Sequence, residues 1–317
     1  MSVGRDCSLA LHYWTWNDFF QRGEWSSGVE SRGPPPAIVP AEPLHYSRLV
    51  HLAPATSAVA AFPLPTSHTG GFMADVSPDI VSELAPTGTL RVAINFGNSV
   101  LAQKDPATGE PRGVSSALAR ELAKRLGVPI SFVTFDAAGK VTEAVKTGGL
   151  DICFLAIDPV RAAGISFTAP YVVIEGVYVV PKDSALKNIE DVDHDGIRVA
   201  VAQGSAYDLY LTRALANAKL VRRPSGPECL DMFVADKLEA AAGVRQPIAA
   251  FAQSRTDMRL IPGRFMAIEQ AMGTPKGREA SLPFLRTFIE EMKTSGFVAH
   301  ELRASGQGEA AVAPPAG

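Results

Sequence analysis

From residue 78 onward the chain shows two distinct hydrophobic periods. Leu90, Val92 and Ile94 alternate with Arg91, Ala93 and Asn95, a period of two that predicts a strand. Turn signals follow at Asp105-Pro106 and Thr108-Gly109. Leu118, Leu122 and Leu126 then recur every four residues beside Ala119 and Ala123. That spacing predicts a helix capped by Ser115 or Ser116, ended by Gly127 and kept from continuing by Pro129. Residues 130–135 read as a second strand, 140–147 as a helix, and 150–157 as a strand too apolar for a solvated face. This alternation implies a mainly parallel sheet covered on both faces.

The pattern repeats in a second unit. A strand at 176–180 leads through Pro181 into a polar stretch, 182–195, that suits a linker edge. A strand at 197–202, a tight turn at Gln203-Gly204-Ser205 and a helix at 207–215 come next. They are followed by a short helix at 230–236, a strand at 238–244 and a helix at 248–254. Residues 264–272 read as a strand returning to the first unit. Phe284, Phe288 and Met292, again every four residues, mark a packing helix at 282–293. The expected organisation is therefore α/β in two lobes: residues 80–178 with 265–306, and residues 182–262. Two crossings near 176–182 and 262–266 form the hinge, and 307–317 is a disordered tail.

Residues 1–72 follow neither period. They hold all three Trp, four of the six His and eight of the 24 Pro, and no Lys. This composition predicts a disordered extension. Residues 49–64 loosely resemble the apolar core and cleavage region of a secretory signal, far from the first residue. Because Met73 immediately precedes the regular pattern, residues 1–72 are expected to be upstream sequence attached by a misplaced start. Without a clean signal, both periplasmic and cytoplasmic placement stay open.

Composition narrows the function classes. The 317 residues are 46% apolar, with 30 Lys+Arg against 33 Asp+Glu and 3 Cys. A disulfide scaffold is excluded, and a net charge of -3 argues against a general binder of nucleic acid or anionic membrane. No apolar stretch reaches the roughly 20 residues that a membrane helix needs. Cys153 and Cys229 read as core residues, and the Cys and His spacings make no zinc pattern. Gly273-Thr-Pro-Lys276-Gly277 lacks phosphate-loop spacing, and no Gly-x-Ser-x-Gly elbow is present. No cofactor, metal or catalytic group is expected on these grounds.

Several segments carry a family resemblance. Gly113-Val114 with LARELAKRLG, Gly148-Gly149-Leu150-Asp151, and Asp158-Pro-Val-Arg161 followed by ISFTAPY resemble the family 3 extracellular solute-binding proteins. So do VAVAQGSAYD and the closing MGTPKG with its amphipathic helix. The resemblance spans about residues 85–306. It implies a two-lobed type 2 periplasmic-binding-protein fold with two crossover hinge segments, closing on a small molecule. It further implies a polar-amino-acid ligand, an ABC permease in the inner membrane as partner, and a monomer.

Candidate site residues follow from chemistry and resemblance together. Arg161, just after a buried strand, can aim its guanidinium into the crevice, where a planar fork suits a carboxylate. The resemblance implies that role; the plain alternative is an ion pair with Asp158. Ser205, Ala206 and Tyr207 open a helix whose free N–H groups can hold the same anion from the other lobe, or Ser205 is an ordinary cap. Asn95 and Phe96 end the first strand, where the resemblance implies a polar group and an aromatic wall, and Ala156 ends a buried strand. Lys140 at a helix start suits an anionic ligand or a solvated lysine.

At Gly243-Val244-Arg245-Gln246 the chain departs from the family. Members that bind α-amino acids usually place a carboxylate at or next to Val244, for the ligand's ammonium group; this chain offers Arg245. Either another acid, such as Asp158, Glu175 or Glu269, serves, or the ligand lacks an ammonium. Arg245 with Arg161 and Lys140 makes an acidic amino acid or dicarboxylate credible, unless Arg245 pairs with Glu239 or Asp208. The alternative function is a cyclohexadienyl or prephenate dehydratase-like lyase using Glu175 or Lys140 as general acid.

Overall fold

A computed structural model describes residues 76–316, so the expectations for residues 1–72 lie outside the described residues. After α1 (Pro78–Leu84), strand β1 (Leu90–Asn95) buries Leu90, Val92 and Ile94 almost completely. A short ribbon, β2 (Gln103–Lys104) with β3 (Pro111–Arg112), precedes α2 (Val114–Leu126). Helix α2 forms because its leucine and alanine stripe is fully covered, each leucine contributing roughly 1.5–3 kcal/mol of burial. It stops at Gly127, which takes the left-handed conformation at φ 66°. The expected serine cap is absent: Gly113 holds the N-cap position without a side-chain bond. Ser116 Oγ turns back to donate to the Gly113 carbonyl at 2.9 Å, and Ser115 Oγ lies 2.9 Å from the Tyr171 hydroxyl.

Strands β4 (Ile130–Phe135) and β5 (Ile152–Ala156) flank β1 in parallel, with α3 (Ala138–Lys146) between them in sequence. The short α4 (Pro159–Ala162) leads into β6 (Ile165–Pro181), a single strand of 17 residues. Only its last part was legible as a strand, because Ser166, Thr168 and Pro170 interrupt the apolar pattern. The partner's register shifts beside Pro170, as a residue without an N–H requires.

The second lobe continues with a 3-10 turn at Ile189–Val192, β7 (Arg198–Ala202), α5 (Ala206–Ala214), β8 (Lys219–Arg223) and α6 (Gly226–Ala235). Then come β9 (Ala240–Val244), α7 (Arg245–Gln253) and β10 (Met258–Leu260). The chain returns through β11 (Met266–Pro275) and closes with α8 (Leu282–Thr294), α9 (Phe297–Ala304) and β12 (Ala311–Val312).

The strands join in one sheet of order β4-β1-β5-β11-β6-β9-β7-β8, with β10 and β12 also on β6. It is mixed rather than mainly parallel. β11 runs antiparallel to both β5 and β6, and β9 runs antiparallel to β6. Three apolar cores follow: one packs α2, α8 and α9 against the first lobe's strands, the second gathers Val177, Val179, Val199, Phe233 and Ile248, and a third sets Val141 and Val145 of α3 against Leu150, Cys153 and Leu155. The end of β6 thus belongs to the second core, a few residues earlier than the expected boundary at 178–182. The tail expected to be disordered pairs instead, with Ala311 and Val312 opposite Val173 and Val172 and with Ala310 and Ala313 buried.

The crossings lie side by side. Met266 of β11 pairs with Gly176 of β6, and Phe265 stacks near Tyr178 with ring centroids 4.4 Å apart. A Cβ at Gly176 would sit 2.7 Å from the Met266 side chain and 2.8 Å from Phe265. Only glycine lets the second crossing pack so closely on the first.

Candidate functional site

The parallel strands of both lobes end on a shared cleft, as open α/β sheets dictate. Asn95 ends β1, Asp136 follows β4, Ala156 ends β5, Gln203 follows β7 and Val244 ends β9. These residues line an inner cavity of about 60 Å³, together with Asn98, Ser115, Arg161, Ser205, Ala206, Tyr207 and Gln270. An outer cavity of about 410 Å³ shares Gly97, Asp136, Tyr207, Gly226 and Val244 with it and is lined largely by apolar groups, Phe96 and Ile248 among them.

Arg161 is the one Lys or Arg that lines the inner cavity among the described residues. Its side chain is only 2% exposed, and it forms no ion pair among the described residues. Nη1 donates to the Ala156 carbonyl at 3.0 Å and Nη2 to the Gly204 carbonyl at 2.9 Å, while Nε has no partner among the described residues. Burial pushes the guanidinium down to about 10, against the opposing charge of Asp158. The surface pairing with Asp158 does not occur. Asp158 caps α4 through the Val160 N–H at 2.8 Å and pairs across the cleft with Arg213 of α5 at 2.7 Å. A buried guanidinium without a carboxylate costs several kcal/mol unless a partner compensates it.

The α5 start faces Arg161 from the second lobe. Ser205 Oγ accepts from the Asp208 N–H at 3.0 Å, so it is a helix cap that also lines the cavity. Ala206 and Tyr207 follow in the first turn, where no helical carbonyl reaches their N–H groups. Asp208 already places a carboxylate at this helix start, accepting from the Gly204 N–H at 2.8 Å, and Arg222 balances it at 2.9 Å. The lobes also meet directly. Gly204 has φ +69°, and a Cβ there would sit 2.9 Å from the Gly139 Cα at the start of α3.

The other expected residues divide. Asn95 and Ala156 line the inner cavity and Phe96 the outer one. Lys140 reaches neither: it is half exposed and pairs with Asp136 at 2.8 Å, an interaction that holds the Asp136 carboxyl below its ordinary range. Arg245 also lines neither cavity. It pairs with Glu175 on β6 and donates to the Gly263 carbonyl at 2.7 Å, beside Arg264, which reaches Glu175 at 3.0 Å. Burial would raise the Glu175 carboxyl, but the two arginines outweigh it and hold it low. The partners expected for Arg245 are taken elsewhere, Glu239 by Arg198 and Asp208 by Arg222.

Asn98, Ser115, Gln203 and Gln270 were not foreseen. In the sequence Ser115 reads as a possible helix cap and Gln270 as part of the strand returning to the first unit; a polar residue inside an apolar run is the available signal. Cys153, behind Arg161, is fully buried, and burial pushes its thiol up to about 12.

Two α/β lobes joined by paired crossings, with strand ends and a buried guanidinium facing the cleft, define a type 2 periplasmic-binding architecture. The chain matches the bacterial extracellular solute-binding proteins, family 3, over residues 90–303, and it belongs to that family. It is a solute-binding protein, as the sequence motifs implied. No curated protein matches it. A mutant of ArgBP from T. maritima superposes with a TM-score of 0.61 at 23% identity, covering 72% of this chain and 99% of that one. The solute receptor for L-cysteine of Neisseria gonorrhoeae gives 0.60 at 23%, covering 71% and 91%. The ancestral amino acid-binding protein AncCDT-1, a precursor of cyclohexadienyl dehydratase, gives 0.58 at 26%, covering 71% and 97%.

Proposed function

We propose that this protein captures one small carboxylate-bearing solute between its lobes and delivers it to an ABC permease in the inner membrane, acting as a periplasmic monomer. The observation that carries the reading is Arg161, which lines the inner cavity almost fully buried, with no ion pair and no partner for Nε among the described residues. Closure brings the α5 start over the same point, so binding energy is converted into a lobe-closed state that a permease can distinguish from the open one. The cations that favoured a dicarboxylate, Lys140 and Arg245, line neither cavity, which favours a solute with one carboxylate. Glu175 and Lys140, the general acids of the lyase reading, line neither cavity, which favours binding over turnover.

A thermal-shift screen of carboxylates finds the solute, because a ligand at 100 times its dissociation constant adds about 2.7 kcal/mol of stability. Arg161→Ala should then weaken binding by at least about 2 kcal/mol, or tens-fold, in isothermal titration. Unchanged affinity in a folded variant overturns the assignment.

A further inference from the structure

The inner cavity holds one cation and, among the described residues, a single acid, Asp136. Asp136 sits at the rim with its side chain about two-thirds exposed, committed to Lys140. The other acids that could face a ligand ammonium are engaged elsewhere: Asp158 with Arg213, Glu175 with Arg245 and Arg264, and Glu269 lies exposed outside both cavities. An ammonium group closed into this chamber would meet the guanidinium with no uncommitted carboxylate beside it, since the one buried acid whose charge reaches Arg161, Asp158, is already paired with Arg213. A neutral donor meets no such penalty. Asn98 and Arg161 both line this cavity, and the Asn98 side-chain oxygen, Oδ1, and Arg161 Nε are buried with no partner among the described residues. The chamber therefore offers a donor suited to an anion and an acceptor suited to a hydroxyl or amide hydrogen. Beyond it, Phe96, Tyr207, Leu230, Val244, Pro247 and Ile248 line the larger cavity, which suits an apolar group.

Resting on the carboxylate reading above, we infer that the solute is a carboxylate bearing a neutral hydrogen-bond donor, such as an α-hydroxyl, in place of an ammonium group, and an apolar tail that fills the outer cavity. Arg161 holds the carboxylate, Asn98 receives the hydroxyl hydrogen, and the apolar wall selects the tail.

The test is a titration of the full chain with matched probes: L-leucine against 2-hydroxyisocaproate, L-phenylalanine against phenyllactate, and L-arginine and L-malate as polar controls. At least one hydroxy acid should bind ten-fold or more tightly than its amino-acid partner and than either control. Asn98→Ala should erase that preference, and Arg161→Ala should abolish binding of both members. An α-amino acid that binds as tightly as its hydroxy counterpart, with binding still lost in Arg161→Ala, overturns this inference and leaves the carboxylate reading standing. Binding that survives Arg161→Ala overturns both. No binding by any hydroxy acid overturns the inference.

Discussion

Arg161 and Asp151 show two ways in which this chain handles buried charge. Asp151 is fully buried, but Arg91 reaches it at 2.8 Å and Arg278 at 2.8 Å from another segment. Burial alone would raise its carboxyl; the hydrogen bonds from Arg91 and then Arg278 outweigh that and hold it below its ordinary value. A carboxyl depressed in the folded state contributes fully above its unfolded value, near about 4, and the contribution disappears as pH falls through the lower folded value. Asp151→Asn should therefore cost about 3–5 kcal/mol at neutral pH and flatten the acid limb of stability, as urea unfolding between pH 3 and 7 would measure. Arg161 has no such partner, and its burial is retained at a cleft rather than inside a core. Sequence reading could find it, because Pro159 directly after an apolar strand places a side chain at a strand end. The direction of Arg245 could not be read, because its partner Glu175 lies 70 residues earlier in the chain.

The segments that meet across the cleft are turns and helix starts. Gly204 sits between β7 and α5 with φ +69°, and the start of α3 at Gly139 approaches its backbone so closely that a Cβ on Gly139 would lie 3.0 Å from the Gln203 carbonyl. Gly204→Ala would impose the left-handed penalty of about 1–2 kcal/mol on a non-glycine residue and also hold the two backbones apart. Solute affinity should fall about ten-fold or more while the melting temperature of the unliganded protein moves by only a few degrees. Calorimetry and thermal melts together check this; a variant with full affinity would show that the glycines are not needed for closure. Elements of this kind were partly legible. The turn was visible in Gln203-Gly204-Ser205, but its contact with Gly139 joins two lobes that no local period connects. Strand β8 escaped because Arg222 and Arg223 break its apolar run, and α7 was placed three residues late because its first turn, Arg245-Gln246-Pro247, is polar at the start and then proline.

At the scale of the whole molecule, the fold is legible because the alternating strands and helices of each lobe are long and regular. The continuity of the sheet is not, since it depends on β6 and β11, whose polar and proline residues hide their length. The C-terminal strand was missed for the same kind of reason: two paired residues carry no period. Removing residues 310–317 strips β12 from β6 beside the crossings and exposes the edge of that strand, and a loss of about 1 kcal/mol lowers the melting temperature of a domain this size by about 2–4 °C. Differential scanning fluorimetry of the shortened chain checks it. Because the two crossings are themselves neighbours in the sheet, Gly176 opposite Met266, neither can twist without carrying the other. The proposed opening then has a single mechanical coordinate, and dye pairs attached at different places across the two lobes should report the same relaxation time, whichever distance each pair happens to read.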